Sequence, residues 1–590
     1  MMGKLGAALW ASLWLAAGAG AADRAAEISL IPWPARLEMA GGSFTVEQQT
    51  QIVYAGDART RAVAHYFGDL LQQSRGLRPG IAQGSVEEAP KRAVVFALES
   101  GDASSEAYKL DISSKAAVVK ASGPRGLFNG AVTLWQLLTL NATDAQEIRI
   151  PAVRISDAPR LRWRGLLLDS SRQYQSVAFI KRYIDFMALH KLNVLHWHLV
   201  DDHAWRLQIP KYPKLTGGLS SYSADDVREI VEHAASRNVM VVPGLEMPGH
   251  ATAAVTAYPS LRAADSPGAA TNLYNVEEET FAFFDAVFAQ VAALFPGEFI
   301  HIGAGETSKD QWKQSTSVQA RMRELGLINE QRLQRYFFER ISELTQKHQR
   351  RIIGWDSIFG GGVPANSVIM TARGIDGALG PVASGYEVIV SSAAALSFNR
   401  PQSAAMNERV KAGEILSLGD VYRFDPAPAA LSAQDLSRLI GVQANVWTST
   451  NGNEAAVEAM TFPRAAALAE IAWTQPVQLR WADFQPRMVA MLGRYSRMGV
   501  RYSDVAFRAM AFKRGENGER VSVELAKQVP LGEIRYTLNG TEPTAKSTVY
   551  TDVFEVSRAT MIKAAVFYNG EPLSRTTAIN VASDIVGQAQ

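Results

Sequence analysis

Eight short apolar runs rich in β-branched residues, most of them separated by helical patterns, constrain this chain more than any other feature. They are Gly165–Asp169, Asn193–Val200, Val239–Leu245, Phe299–Gly303, Arg351–Trp355, Ser367–Thr371, Glu414–Leu418 and Ile440–Val446. Between them Val177–His190, Ala224–Ser236, Glu277–Leu294 and Glu330–Gln349 carry apolar residues at three- and four-residue spacing, the period of a helix with one buried face. Continuous apolar strands alternating with helices build a parallel sheet covered by helices. Eight such units predict a closed (β/α)8 TIM barrel, an α/β fold, with an open parallel sheet as the alternative.

The flanks differ from this pattern. From about Ile28 to Ile155, runs such as Ala93–Ala97 and Ala117–Lys120 alternate with one strong helical stretch, Gly126 to Leu138, and predict a small α+β domain. After about Arg514 short strands are punctuated by turn residues. Asn539-Gly540 and Asn569-Gly570 are hairpin signals, and the segment predicts a small β-sandwich. The expected division is residues 23–157, 158–513 and 514–590, which suits a chain of 590 residues once a barrel replaces two ordinary domains. Residues 1–22 read as a secretory signal: Lys4, an apolar stretch from Leu5 to about Ala17, then small residues fitting an A-x-A cleavage site. The stretch is too short for a membrane span, so the expected location is the periplasm or the exterior.

Composition removes several functions. Lys and Arg number 60 against 58 Asp and Glu, a net charge of +2 with no run of five like charges, so nucleic acid or an anionic membrane has no electrostatic footprint. The absence of cysteine excludes disulfides, thiolate metal sites, iron–sulfur clusters and a Cys nucleophile.

A barrel of this kind carries its chemistry at the C-terminal ends of its strands. There the sequence places Asp169-Ser170-Ser171-Arg172, His196 to His203, Glu246 to His250, His301 to Glu306, Trp355-Asp356 and Asn445 to Thr448. Carboxylates, histidines, an arginine and two tryptophans around one mouth suit a sugar: aromatic faces stack on a pyranose, Arg and Asp hold hydroxyls, and a carboxylic acid protonates the leaving oxygen. The partner predicted is a carbohydrate, and no cofactor or metal is required. His196 and His198 share a strand face and are the alternative, metal-binding reading.

These motifs, in this order, resemble the β-N-acetylhexosaminidases of glycoside hydrolase family twenty. Ile31-Pro32-Trp33-Pro34 and Gly126–Leu138 are similar to that family's N-terminal domain. Trp163–Arg172, Asn193–Asp202, Pro243–His250, His301–Glu306, Gly354–Asp356 and Gln443–Trp447 are similar to its barrel motifs, and Arg535–Pro543 to the C-terminal domain of some chitobiases. The resemblance implies substrate-assisted hydrolysis, in which the sugar's own 2-acetamido oxygen attacks the anomeric carbon. It implies Glu306 as general acid/base, Asp201 and His250 as the pair supporting its protonation, Arg172 as a ligand of sugar hydroxyls, Trp355 and Trp447 as pocket walls, and Tyr422 as a contact of the acetamide oxygen. Asp202 joins the substrate-binding set.

The departures from the family pattern collect on the acetamide side. Gly305 stands where the family has the Asp that polarises the acetamide, Ala372 where it has a tryptophan, and Ser449 where it has a glutamate. Gly244 and Glu246 replace the Glu and Asp of Pro-Glu-Ile-Asp, and Gln173 replaces a His. The leading expectation is an exo-acting β-glycosidase of the hexosaminidase type that tolerates or prefers a sugar lacking the 2-acetamido group, with Glu246 as first candidate for the second carboxylate and Asp356 and Asp202 behind it. A compensated β-N-acetylhexosaminidase and a non-catalytic sugar-binding protein are the alternatives.

Overall fold

The computed structural model describes residues 28–140, 147–265, 271–305, 308–361, 363–403, 414–427, 431–449, 452–584 and 586–587. The expected signal segment and Glu306 lie outside them. The chain divides into two compact units, 1–160 with 469–500, and 161–468 with 501–590.

The first unit is built on a seven-stranded mixed sheet: β1 (Arg36–Val46), β2 (Ile52–Ala55), β3 (Ile81–Gln83), β4 (Ala93–Leu98), β5 (Tyr108–Ile112), β6 (Ala116–Ala121) and β7 (Ile148–Asp157). Their spatial order is β1-β7-β5-β6-β4-β2-β3. Helix α1 (Ala58–Arg75) starts where the Asp57 side chain caps its first amides and ends at Gly76, whose φ of 69° few other residues adopt. Helix α2 (Pro124–Leu138) is buried almost all round. The helix Trp481–Arg497, expected to belong with the barrel, sits in this unit instead: Arg487 donates to the Leu30 carbonyl at 2.6 Å and Arg494 to that of Ser29 at 2.9 Å. Such side-chain-to-backbone ties, some 460 positions apart in sequence, leave no local signal.

In the second unit β8 (Trp163–Asp169), β9 (Val194–His198), β10 (Met240–Gly244), β11 (Phe299–His301), β12 (Arg351–Trp355), β13 (Val368–Thr371), β14 (Glu387–Val390) and β15 (Leu439–Val446) pair in parallel and close into a barrel. The open-sheet alternative is therefore excluded. One expected strand is corrected. The seventh is Glu387–Val390, whereas residues 414–417 are irregular and lead into the helix Leu418–Arg423, capped by a reciprocal Ser417–Asp420 box. The helix before the true strand, Ile375–Ala383, holds Gly377, Gly380 and Pro381, which hid the helical half of this unit from pattern reading.

Helices α3 (Val177–Leu189), α4 (Ala224–Ser236), α5 (Glu278–Leu294) and α6 (Glu330–Lys347) lie within two residues of their expected bounds. In α4 the Ser223 hydroxyl accepts from Asp226 N at 3.1 Å while Asp226 accepts from Ser223 N at 2.8 Å. Ser223→Ala is expected to cost about 1 kcal/mol, measured as a lower urea midpoint with an unchanged slope.

Alternation along the strands sorts the barrel interior into levels. Trp163, Val194, Val242, Phe299, Ile353, Val368 and Ile389 form an apolar floor. Two residues further along their strands, His196 and His301 form a polar level, their rings 4.2 Å apart, with Gln443 Nε2 3.1 Å from His196 Nδ1. Burial, with some repulsion between neighbouring rings, pushes the His196 pKa well below its ordinary value and that of His301 down to about 3. Both imidazoles are neutral spacers beneath the mouth.

At the C-terminus two sheets enclose a common core that includes Val521, Val523, Ile534, Ile562 and Val566, the expected sandwich. Its first strand, Met510–Asn517, crosses the expected boundary at 514. The Asn569-Gly570 turn forms as read, both residues at positive φ between Tyr568 and Glu571. The strand Glu533–Thr537 lies between two antiparallel partners, Thr548–Val549 and Met561–Tyr568, both well beyond Asn539-Gly540.

Candidate active site

The strand ends assemble one connected cluster. Asp169 closes β8, and its carboxylate accepts from the backbone amides of Ser171 and Arg172, each at 3.1 Å, and from Thr448 N, past the end of β15, at 3.2 Å. That turn aims Arg172 across the mouth. Its guanidinium donates to Asp169 Oδ2 at 2.9 Å, lies 2.8 Å from Asp201 Oδ2, and sits 5.2 Å from the ring centre of Trp447.

Asp201 is the hub. Besides Arg172 it faces His198 Nε2 at 2.9 Å and His250 Nδ1 at 3.3 Å, and it accepts from Asp202 N at 2.7 Å. Burial works against its charge, but the His198 and His250 hydrogen bonds and the Arg172 charge overcome it and hold the carboxyl well below the usual carboxylate range. His250 is raised to about 10 by its hydrogen bonds to Asp201 and Asp202, so it is a cation at neutral pH. It is held at a φ of 53°, a left-handed conformation costly for a residue with a side chain.

Asp202, expected to bind sugar hydroxyls, has both carboxylate oxygens engaged by protein. Oδ2 lies 3.1 Å from His250 Nδ1, and Oδ1 accepts from Thr252 N at 3.1 Å and Thr252 Oγ1 at 2.5 Å. In this arrangement it positions His250. Asp202 thus has no carboxylate oxygen left for a second-carboxylate role. Asp356 differs: its Oδ2 accepts from Ala372 N at 2.8 Å, while its buried Oδ1 has no hydrogen-bond partner and lies 3.5 Å from Arg373 Nε.

Glu246 is different. It is buried, its Oε1 3.8 Å from His198 Nδ1, and its carboxylate is packed against Gly303, where any Cβ would overlap it. Burial outweighs the attraction of His198 and His250 and pushes its pKa up to about 7. Beyond Gly303 the strand-four segment turns through two left-handed residues, Gly303 (φ 67°) and Ala304 (φ 64°), to half-buried Gly305. A Cβ on Gly305 would meet Trp355 Cδ1 at 3.4 Å, an ordinary contact.

Trp355 and Trp447 line the same mouth, half-buried, with ring centres 6.5 Å apart at 45°. Neutral His301 stands edge-on to Trp355 and His198 edge-on to Trp447, each at 5.1 Å. The structure thus brings Arg172, Asp201, Asp202, Glu246, His250, Trp355 and Trp447 together. Tyr422 is buried on the helix Leu418–Arg423, which follows a segment outside the described residues.

Two members of the cluster were not assigned to the expected site set, Asp169 and His198. Asp169 carries a sequence signal, an acid at the last position of the first strand three residues before Arg172. His198, which the alternative reading pairs with His196 on a metal, faces Asp201 with Nε2 at 2.9 Å, and the two rings stand 6.5 Å apart at 72°. Among the described residues a group with metal-ligand spacing is Asp201, Asp202 and His250, but Arg172, His198 and Thr252 already occupy its carboxylates.

Comparison with known proteins agrees along the chain. Residues 161–476 match the glycosyl hydrolase family 20 catalytic domain, 27–158 match domain 2 of that family, and 503–578 match the chitobiase/beta-hexosaminidase C-terminal domain. A Beta-hexosaminidase of Porphyromonas gingivalis is 32% identical over 94% of this chain and 74% of its own length. A Beta-N-acetylhexosaminidase of Cellulomonas fimi is 30% identical over 81% and 96%. Among solved structures, the exo beta-N-acetylglucosaminidase of Vibrio harveyi in complex with N-acetylglucosamine superposes with a TM-score of 0.74 at 27% identity, covering 81% of this chain and 78% of that one. Among the described residues no helix is long and apolar enough to cross a membrane.

Proposed function

The chain belongs to glycosyl hydrolase family 20 and is a glycoside hydrolase, and on that premise we propose that it removes terminal, non-reducing β-linked hexosamine or hexose residues, with Glu306 as general acid and base. The observation that carries this reading is the hydrogen-bonded cluster Asp169–Arg172–Asp201–His250, which reaches a mouth walled by Trp355 and Trp447. In it Arg172 supplies donors for hydroxyls at the closed end of the pocket, and the two indoles supply faces for a pyranose ring. Cationic His250, with anionic Asp201 behind it, sets the field in which an acid at Glu306 gives its proton to the leaving oxygen and later takes one from water.

The finer part of the proposal concerns the acetamide. Substrate-assisted attack needs a group to orient and polarise the 2-acetamido nitrogen, and Gly305 has no side chain to do so. The site is therefore proposed to accept a sugar without that substituent. Such a sugar brings no nucleophile of its own, and Glu246 is the remaining carboxylate in the cluster not tied up by strong hydrogen bonds. Attack by Glu246, or activation of water by it, requires the ionised form. Because its pKa is about 7, hydrolysis of a non-acetylated substrate is expected to rise with pH through about 7. Glu246→Gln should remove that activity and its rising limb together. A rising limb that persists in the variant refutes the assignment. The second reading, an N-acetylhexosaminidase with the lost Asp compensated, is favoured by the names of the relatives.

A panel of p-nitrophenyl β-glycosides separates the two, with N-acetylglucosaminide beside glucoside and galactoside. Release from the non-acetylated sugars is the expected result. Release from the N-acetyl sugar alone selects the second reading, and sugar binding with no release from any member selects a non-catalytic protein. Export is part of the same proposal, and the mass of the protein recovered outside the cytoplasm, with residues up to about 22 removed, checks it.

A further inference from the structure

Helices α1 and α2 pack on one side of the N-terminal sheet. On the opposite side, where β1, β7, β5 and β6 lie edge to edge, a cavity of ≈ 660 Å³ opens between side chains the barrel chemistry does not use. The strand register sorts them. Arg36 stands opposite Ser156, Ser156 opposite Lys109, and Lys109 opposite Lys120. One row across four strands therefore holds three cations and a hydroxyl and no acid, over roughly 14 Å at the usual interstrand spacing. The adjacent row reads Glu38, Arg154, Asp111 and Val118.

The acids nearby are already matched. Glu38 lies 2.5 Å from Arg36, Asp111 lies 3.6 Å from Arg154, and Glu99, beyond the end of β4, lies 3.0 Å from Lys109. Half-buried Lys120 has no carboxylate within ion-pair distance among the described residues, yet it directly faces Lys109 on the neighbouring strand. Like charges in that position repel. The arrangement is favourable once an anion sits between them.

We propose that this trough binds a sulfated oligosaccharide, with one sulfate ester seated between Lys109 and Lys120 beside the Ser156 hydroxyl. Lys120, the Lys109 protons not given to Glu99, and the Ser156 hydroxyl offer a donor to each of the three non-ester oxygens of a sulfate. The sugar chain lies across the strands along the trough. The site is independent of which sugar the barrel cleaves.

The test is calorimetric titration of the full chain at low salt with a chondroitin sulfate tetrasaccharide, and in parallel with a hyaluronate tetrasaccharide, which keeps the carboxylates and lacks the sulfates. The sulfated chain is expected to bind and the unsulfated one to bind about tenfold more weakly or not at all. Lys120→Gln should weaken the sulfated ligand about tenfold, the loss of one charge-assisted hydrogen bond. Arg125→Gln, at an exposed position at the start of α2, should leave it unchanged. Hydrolysis of a p-nitrophenyl glycoside by Lys120→Gln at the wild-type rate shows that the variant is folded, whatever the barrel's specificity. Equal affinity for the two tetrasaccharides, an unmoved Lys120→Gln variant, or no binding to the wild type overturns the proposal.

Discussion

Replacing Glu306 by Gln is expected to lower kcat/KM on alkyl β-glycosides by about 10²–10⁴-fold, the range for loss of a positioned general acid. Glutamine keeps the size and shape of the side chain and removes the transferable proton. The loss should therefore depend on the leaving group. A glycosyl fluoride, which departs with little help from a proton, should suffer much less in its bond-breaking step than an alkyl glycoside, which cannot depart without one. Binding should change little, because Arg172, Trp355 and Trp447 hold the sugar in this reading. The carboxylates that hold Arg172, Asp169 and Asp201, lie at or just past the ends of β8 and β9 rather than on the strand that leads to position 306. The measurement is a series of leaving groups assayed with the wild type and the variant. An equal loss across the series would assign Glu306 a structural part, and no loss would move the acid to another residue.

The features that made this site legible in the sequence are those fixed by strand ends. Arg172, Asp201, His250, Trp355 and Trp447 each follow an apolar run by at most a few residues, and a closed barrel gathers strand ends at one mouth whatever the details of its packing. What the sequence could not show is the division of labour among the carboxylates. Asp201 and Asp202 are neighbours in the chain, yet one is the buried hub shared by Arg172, His198 and His250 and the other is held behind His250 by the amide and hydroxyl of Thr252, fifty positions away. The fold shows the same contrast. The strand Glu387–Val390 is as apolar as its neighbours but was hidden by a helix carrying two glycines and a proline, while the run around Ile415 and Leu416 resembled a strand and is the approach to a capped helix. The assignment of Trp481–Arg497 to the first unit rests on long-range ties from Arg487 and Arg494, which no periodicity encodes.

Glu246 unites the two halves of the reading. A carboxyl raised to about 7 by burial stays largely protonated below neutrality, and a protonated acid packed against Gly303 contributes no charge to the mouth. Ionised, it adds a negative charge close to His198 and within the field of Arg172 and His250. A substrate that develops positive charge at its anomeric carbon favours the second state, and a substrate that brings its own nucleophile has no need of it. The same residue thus gives opposite expectations for the two substrate classes, which makes the pH profile more discriminating than either rate alone.

Gly305→Asp is the converse experiment and is expected to raise kcat on N-acetyl-β-glucosaminides by about 10²–10³-fold, the worth of about 2.7–4 kcal/mol for one group that stabilises developing charge in a shielded site. The backbone admits the side chain. Gly305 does not lie in the left-handed region, unlike Gly303 and Ala304 before it, and a Cβ there makes only an ordinary 3.4 Å contact with Trp355. A carboxylate at that place stands beside the Trp355 wall and next in sequence to Glu306, where it can accept a hydrogen bond from the acetamide N–H and orient its oxygen toward the anomeric carbon. The gain should be confined to substrates carrying the acetamide. Glucosides and galactosides should show no gain, because they offer nothing to polarise and the added charge displaces whatever solvent they keep there. An N-acetyl sugar hydrolysed no faster by the variant would mean that another polar group already does this work in the wild type, and the proposal of a non-acetylated substrate would lose its physical basis.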